Sequence, residues 1–152
     1  MKVFSEEWVK AYVDSINNNA NYKAAASWWE GDFLFVVQPS GNLDEEVKLF
    51  IGLYKGDCTG GKILSPGEEH VILKAGSDPV PLKEGEPPSV EFVFSGNYDN
   101  WLKVLKKELD PIQGLMAGKF KLVGNMAKVM RATKAAQELV NSSASIEGVE
   151  FL

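Results

Sequence analysis

The sequence predicts an α+β fold, a mixed or antiparallel sheet with helices on one side, on three observations. Extended segments rich in β-branched and aromatic residues (FLFVVQ, EVKLFIGLY, SVEFVFS, KFKLV) are punctuated by turn residues, and about five such strands can be counted. Four or five segments with helical apolar spacing lie mostly toward the two ends of the chain. The 152 residues, 45% hydrophobic and 24% charged, suffice for one core without disulfide or metal. The expectation is a single domain over residues 1–152, with a helical segment over residues 1–30.

Taken in order, Ser5 is placed to cap a helix whose apolar positions are Trp8, Val9, Tyr12, Val13 and Ile16. Asn17 to Asn19 is a weak point. Helical spacing resumes at Tyr22 and continues toward Trp29, where Gly31 stops it. From Asp32 the pattern turns extended, and Pro39-Ser40-Gly41-Asn42 is a turn leading to the strand EVKLFIGLY. That strand places Val47, Leu49, Ile51 and Leu53 on one face, with Lys48, Phe50, Gly52 and Tyr54 on the other. A glycine-rich turn at Gly56 to Lys62 and a further strand near His70 to Ala75 are expected next. Ser77 to Pro88 holds four of the seven prolines and reads as an exposed loop.

After that loop, SVEFVFS alternates, with Val90, Phe92 and Phe94 on one face, and Asn97 caps a helix through Trp101, Leu102 and Leu105. Asp110-Pro111 opens a short helix carrying Ile112, Leu115 and Met116. Proline suits a first helical position because its missing N–H would have no partner there. Lys119 to Val123 is a strand with lysines out and Phe120 and Leu122 in. Asn125 then caps a helix whose expected stripe is Met126, Val129, Met130, Thr133, Gln137 and Val140.

The net charge of −5 argues against a general nucleic-acid binder, and no apolar run approaches the ~20 residues needed to span a bilayer. The start, MKVFSEEW, shows no export signal, and a lone cysteine, Cys58, fits a reducing cytoplasm. The charge is uneven: Trp101 to Lys134 carries eight basic residues against two acidic ones. That segment reads equally well as solvated faces or as a cationic surface for anionic lipid.

Candidate chemistry is sparse. GDCTGGKI, Gly56 to Ile63, misses the phosphate-loop pattern, since Ile63 stands where a hydroxyl is required and the following Leu64-Ser65-Pro66-Gly67 is a turn rather than a helix. Cys58 with His70 as nucleophile and base, or Glu68-Glu69-His70 as a weak metal site, has no supporting pattern. No metal or cofactor is expected. Methionines 116, 126 and 130 with Phe92, Phe94, Trp101 and Phe120 are more informative, because methionine suits surfaces that fit several shapes. Periodicity alone favours ordinary core packing over a ligand cavity.

Residues 97–133, NYDNWLKVLKKELDPIQGLMAGKFKLVGNMAKVMRAT, closely resemble the sterol carrier protein type 2 domain. The matching pieces are Leu109-Asp110-Pro111, Gly118-Lys119-Phe120-Lys121-Leu122 and Gly124-Asn125-Met126. Asn125 replaces the family's usual aspartate, and both cap a helix. The similarity extends less closely back to about Trp29. The C-terminus, Val149-Glu150-Phe151-Leu152, is not the peroxisomal address of some relatives.

The resemblance implies a five-stranded mixed, mostly antiparallel sheet with helices covering one face. It also implies a hydrophobic tunnel between the layers that takes up fatty or sterol-like molecules without enzymatic chemistry. The expected wall is Phe92, Phe94, Trp101, Leu105, Leu115, Met116, Phe120, Leu122, Met126, Val129 and Met130, with Thr133 or Gln137 at the mouth for a polar head. Lys103, Lys106, Lys107, Lys128 and Arg131 are the expected contacts to an anionic membrane. The rival readings are an interaction module whose cavity is filled by side chains, and a small-molecule enzyme using Cys58 or His70.

Overall fold

The computed structural model describes residues 1–152. Two helices, α1 (Glu6–Asn17) and α2 (Ala20–Ala25), lead into strands β1 (Phe33–Gln38), β2 (Val47–Tyr54) and β3 (Asp57–Ile63). Two short strands, β4 (Val71–Ile72) and β5 (Ser89–Val90), bracket the proline-rich segment. The remainder is β6 (Phe92–Asn97), α3 (Tyr98–Leu105), α4 (Pro111–Met116), β7 (Phe120–Val123), α5 (Met126–Arg131) and α6 (Thr133–Ala144). The main sheet has the order β3-β2-β1-β6-β7, with β1 and β6 parallel and every other pair antiparallel. Helices cover one face, where 27 buried residues form the core.

The caps that the sequence predicts are made. Ser5, Asn97, Asp110 and Asn125 each accept backbone N–H groups at the start of their helices, satisfying donors that have no partner within the helix. The asparagines between α1 and α2 also work at long range. The Asn17 side chain exchanges two hydrogen bonds with the backbone of Cys58, at 2.8 and 3.0 Å, tying α1 to β3. Asn19 caps α2 and donates to Glu138 and Ser142 on α6.

Three expectations are corrected. Gly56 to Lys62 is mostly not a turn: the chain reverses at Lys55 and Gly56, both with positive φ, and the rest is the edge strand β3. Glycines at 60 and 61 read as turn signals, yet Gly61 is there for contact. A Cβ on it would lie 2.8 Å from Val9 and from Val13, so its absence lets α1 lie directly on the strand. The strand expected at His70 to Ala75 shrinks to Val71–Ile72, both exposed, paired in parallel with Ser89–Val90 outside the main sheet. The alternation of SVEFVFS breaks at Glu91, where the N–H groups of Glu91 and Phe92 both donate to the Asp32 carbonyl at 3.1 Å. Val90 consequently faces the opposite side from Phe92 and Phe94, joining Leu34, Val36, Phe50 and Leu64 in a small second core on the face expected to be wet.

The same corner holds the chain's buried charges. Glu91 is 3% exposed and pairs with Lys128 of α5 at 3.2 Å. The Lys128 ammonium also donates to the Glu30 carbonyl and lies 4.8 Å from the Trp29 ring centre and 5.3 Å from that of Phe92. Asp32, 5% exposed, accepts the Leu53 N–H at 3.0 Å. Burial is the main cause that pushes its carboxyl up to about 6; the Leu53 hydrogen bond opposes this and the Glu91 charge adds to it.

Two outcomes follow from these charges. Lys128→Met should lower unfolding free energy by about 3–5 kcal/mol in urea, because it strands Glu91 without its counter-charge, and adding Glu91→Leu should restore most of the loss. Between pH 3.8 and about 6 the native Asp32 keeps a proton that the unfolded chain has lost, so its contribution falls as pH rises. Asp32→Asn should therefore raise stability at pH 7 by about 1–3 kcal/mol, with the gain vanishing below the lower value.

Candidate functional site

Between the helical layer and the sheet lies a cavity of about 90 Å3, and sixteen of its eighteen lining residues are hydrophobic. Its floor is the sheet: Phe33, Phe35 and Val37 of β1, Leu49 of β2 and Phe94 of β6, which alternate toward the helices as a pleated strand requires. Its roof is α6, through Ala136, Leu139, Val140 and Ser143, with Val129 of α5. Phe4, with Trp8 and Tyr12 of α1, closes one side. Trp101, Val104 and Leu105 of α3 with Pro111 and Ile112 of α4 close the other.

Aromatic contacts fix this wall. The parallel register of β1 and β6 sets Phe33 beside Phe92 and Phe35 beside Phe94. Phe33 and Phe92 stack at 5.0 Å, Phe94 and Phe120 stack at 4.8 Å, and Trp101 meets Phe35, Phe94 and Phe120 edge-on. The Trp101 indole N–H donates to the Val36 carbonyl at 3.0 Å, which pins α3 over β1. The hydroxyl hydrogens at the cavity are committed: Tyr12 Oη donates to the Leu139 carbonyl at 3.1 Å and Ser143 Oγ to the Val140 carbonyl at 2.6 Å. Burial pushes the Tyr12 hydroxyl far above its ordinary value, so it stays neutral. The hollow therefore offers an apolar guest mainly shape and dispersion contact.

Two further hollows adjoin it. One, about 40 Å3, shares Phe33, Val129, Ala136 and Leu139 with the cavity and runs toward Tyr22 and Trp29. The other, about 370 Å3, shares Trp8, Leu105 and Ser143 and opens beside Lys106 and the C-terminal tail at Ile146, Gly148, Val149 and Phe151. That tail is paired to the N-terminus, with Val3 N–H donating to the Glu150 carbonyl and Glu150 N–H to that of Met1.

Of the residues expected from sequence, Phe94, Trp101, Leu105 and Val129 line the cavity. Phe92, Leu115 and Phe120 are buried in the core behind it, and Leu122 and Met130 are half-buried at its edge. Met116 and Met126 are 71% and 47% exposed and lie outside it. Thr133 donates its hydroxyl to the Met130 carbonyl, and Gln137 is exposed. The inward stripe of the last helix is rotated from the expected one, because in the hydrophobic pattern its methionines outweigh the small residues Ala132, Ala135 and Ala136 that pack inward. The helix is also interrupted at Ala132, where α5 ends and α6 begins.

The N-terminal half of the wall is absent from the sequence expectation, although its signals are present. Trp8 and Tyr12 fall on one helical stripe, and Phe33, Phe35 and Val37 alternate on a strand. Lys128, expected at a membrane, is engaged by Glu91 and is only 18% exposed. The Cys58 thiol lies buried, is pushed up to about 11 by burial, and donates to the Gly60 carbonyl at 3.6 Å rather than to His70.

The chain belongs to the SCP-2 sterol transfer family, whose family model matches residues 30–137. Trp8 and Tyr12 on one side and Leu139 to Ser143 on the other thus extend the wall beyond the matched residues. Comparison with curated proteins returned no match. Among solved structures, a crystal structure of sterol carrier protein 2 is 29% identical with a TM-score of 0.74, covering 95% of this chain and 98% of that one. A conserved hypothetical protein of Thermus thermophilus, described as possibly a sterol carrier protein, is 30% identical with a TM-score of 0.73, over 95% and 89%. A sterol carrier protein domain of Helicoverpa armigera, at 18% identity and TM-score 0.53 over 89% and 87%, shares the fold. Membership in this family supports lipid binding or transfer in general. No helix is long and apolar enough to cross a membrane.

The observed phase of α6 sets a direct comparison. Leu139→Ala should cost about 2 kcal/mol or more in urea unfolding. Gln137→Ala and Met116→Ser should stay within about 0.5 kcal/mol.

Proposed function

We propose that the chain binds a lipid by its apolar tail between α6 and the sheet and exchanges it with membranes, leaving it chemically unchanged. Fatty acids, fatty acyl derivatives and sterol-like molecules are the candidate ligands. The observation that carries this reading is the almost wholly apolar lining of the cavity, with the hydroxyl hydrogens of Tyr12 and Ser143 already used. Removing a tail of roughly fifteen methylenes from water is worth on the order of 12 kcal/mol, whereas a tail leaving a bilayer gains almost none of that. Exchange between membrane and protein is then nearly balanced, as transfer requires.

The head group is assigned to the recess beside Lys106 and Phe151, where the cavity meets solvent, in place of Thr133 and Gln137. Lys103, Lys106 and Lys107 are exposed and would hold this side near anionic head groups, at about 1 kcal/mol for each well-placed cation, with Arg131 exposed at the end of α5. One observation favours the alternative module with a filled cavity: about 90 Å3 falls short of the ~300 Å3 at which ligand pockets begin. The lipid reading thus requires the adjoining hollows to join when a tail enters.

Native mass spectrometry of the purified protein with organic extraction separates the two. The carrier reading expects co-purified lipid and uptake of a fluorescent fatty acid, reduced at least tenfold by Ala136→Phe, which fills the cavity. No bound lipid and no uptake by the wild-type protein would favour the module.

A further inference from the structure

The opposite face of the sheet carries a second hollow with different chemistry. With Leu49, Ile51 and Leu53 turned to the core, Phe50, Gly52 and Tyr54 of β2 face outward, and the segment Asp78-Pro79-Val80-Pro81-Leu82 lies over them. The groove between is about 570 Å3, within the size range of small-molecule sites. Its remaining lining is Glu30, Asp32 and Thr59, so three carboxylates and no basic residue line it.

Asp32 marks its chemistry. Only Oδ1 has a protein partner, the Leu53 N–H. Every fully enclosed side-chain polar atom in the molecule is hydrogen-bonded, so the unpartnered Oδ2 of this 95% buried residue is the atom that opens on the groove it lines. Buried carboxylates are ordinarily paired. Here Lys128 is taken by Glu91, and Lys55 stands outside the lining, 3.5 Å from Glu30 and 5.3 Å from the Tyr54 ring centre.

Gly52 is the second observation. A Cβ at this position would lie 2.2 Å from Thr59 Oγ1 and 3.4 Å from both Asp32 Oδ1 and Phe50 Cε1. The absence of a side chain at position 52 lets the Thr59 hydroxyl approach β2 beside the carboxylate. A metal ion does not suit it, since no three Asp, Glu, His or Cys side chains stand close enough to share one. Charge spread along an aromatic and aliphatic groove suits a larger cation with an apolar body.

We propose that this groove binds a small organic amine, its ammonium on Asp32 Oδ2 and its apolar part against Tyr54, Val80 and Leu82. The site is independent of the lipid cavity, since it lies on the other face of the sheet and shares no lining residue with it.

The test is a titration of the full chain with 2-phenylethylamine at pH 7.5, followed by two-dimensional amide NMR, with 2-phenylethanol as the neutral counterpart. The site expects saturable shifts at Leu53, Thr59 and Val80 but not at Ala136, with the alcohol at least tenfold weaker. Asp32→Asn should weaken binding about tenfold or more. Asp78→Asn, on the exposed loop and harmless to the fold, should weaken it about threefold. Absence of saturable shifts by about 10 mM amine, equal response to the alcohol, shifts centred on the lipid cavity, or undiminished binding in both variants would each overturn the proposal.

Discussion

The parallel pairing of β1 with β6 is the constraint on which the rest of the molecule depends. It places Phe33 against Phe92 and Phe35 against Phe94, so one face of the sheet becomes a wall of rigid rings. Rings of this size fit only where the backbone yields, and glycines supply the room. A Cβ on Gly31 or Gly124, both at positive φ, would fall within 2.7 Å of the Phe92 ring, and one on Gly96 would fall within 2.5 Å of Phe120. Against this stiff surface α6 offers alanines. Planar rings and short side chains leave an unfilled seam, and that seam is the cavity.

The sheet thereby separates two environments. Its helical face is apolar, with the hydroxyl hydrogens at the cavity internally committed. Its other face is thinly covered by Leu64, Val90 and the proline-rich segment, and it keeps a carboxylate that opposes folding at neutral pH. Lys128 joins the two at the corner of the molecule. Its ammonium lies over the Trp29 and Phe92 rings and neutralises Glu91, so α5 is held both by cation–π contact and by charge. The same engagement removes Lys128 from the cationic surface that the sequence assigns to it, leaving that surface to cations on α3, just after it, and at the end of α5.

Much of the fold is legible in the sequence because its signals are local. Ser5, Asn97, Asp110-Pro111 and Asn125 each specify a helix start through bonds to the next few residues, while FLFVV specifies a strand by its residue types and KFKLV by alternation. The errors arise where a residue's meaning depends on a distant neighbour. Gly61 looks like a turn residue until α1 is placed on it, and the Asn17 to Asn19 break becomes a tether only once β3 and α6 are adjacent. Glu91 breaks its strand's alternation because the carbonyl of Asp32, far away in sequence, accepts both its N–H and that of Phe92. In the candidate site, aromatic residues of the later strands are readable. The inward face of α6 is not, because alanines carry little weight in a hydrophobic pattern yet decide how closely a helix approaches a sheet.

The distribution of polar ties also constrains how the cavity can enlarge. The C-terminal half of α6 is fastened by Tyr12 to Leu139, by Ser15 to Ser142 and by Asn19 to Glu138 and Ser142, so lifting the whole helix breaks several hydrogen bonds at once. At its other end α5 is anchored by Lys128. Between these anchors the joint at Ala132 has no side-chain cap, and the roof from Ala132 to Ala136 is held by alanine contacts beside the flexible Met130. Displacement there gives up only dispersion contacts, which an incoming apolar tail replaces. The small volume and a lipid-sized guest are therefore compatible: the polar ties keep the layers in register, while the alanine-rich stretch between them is the part that yields.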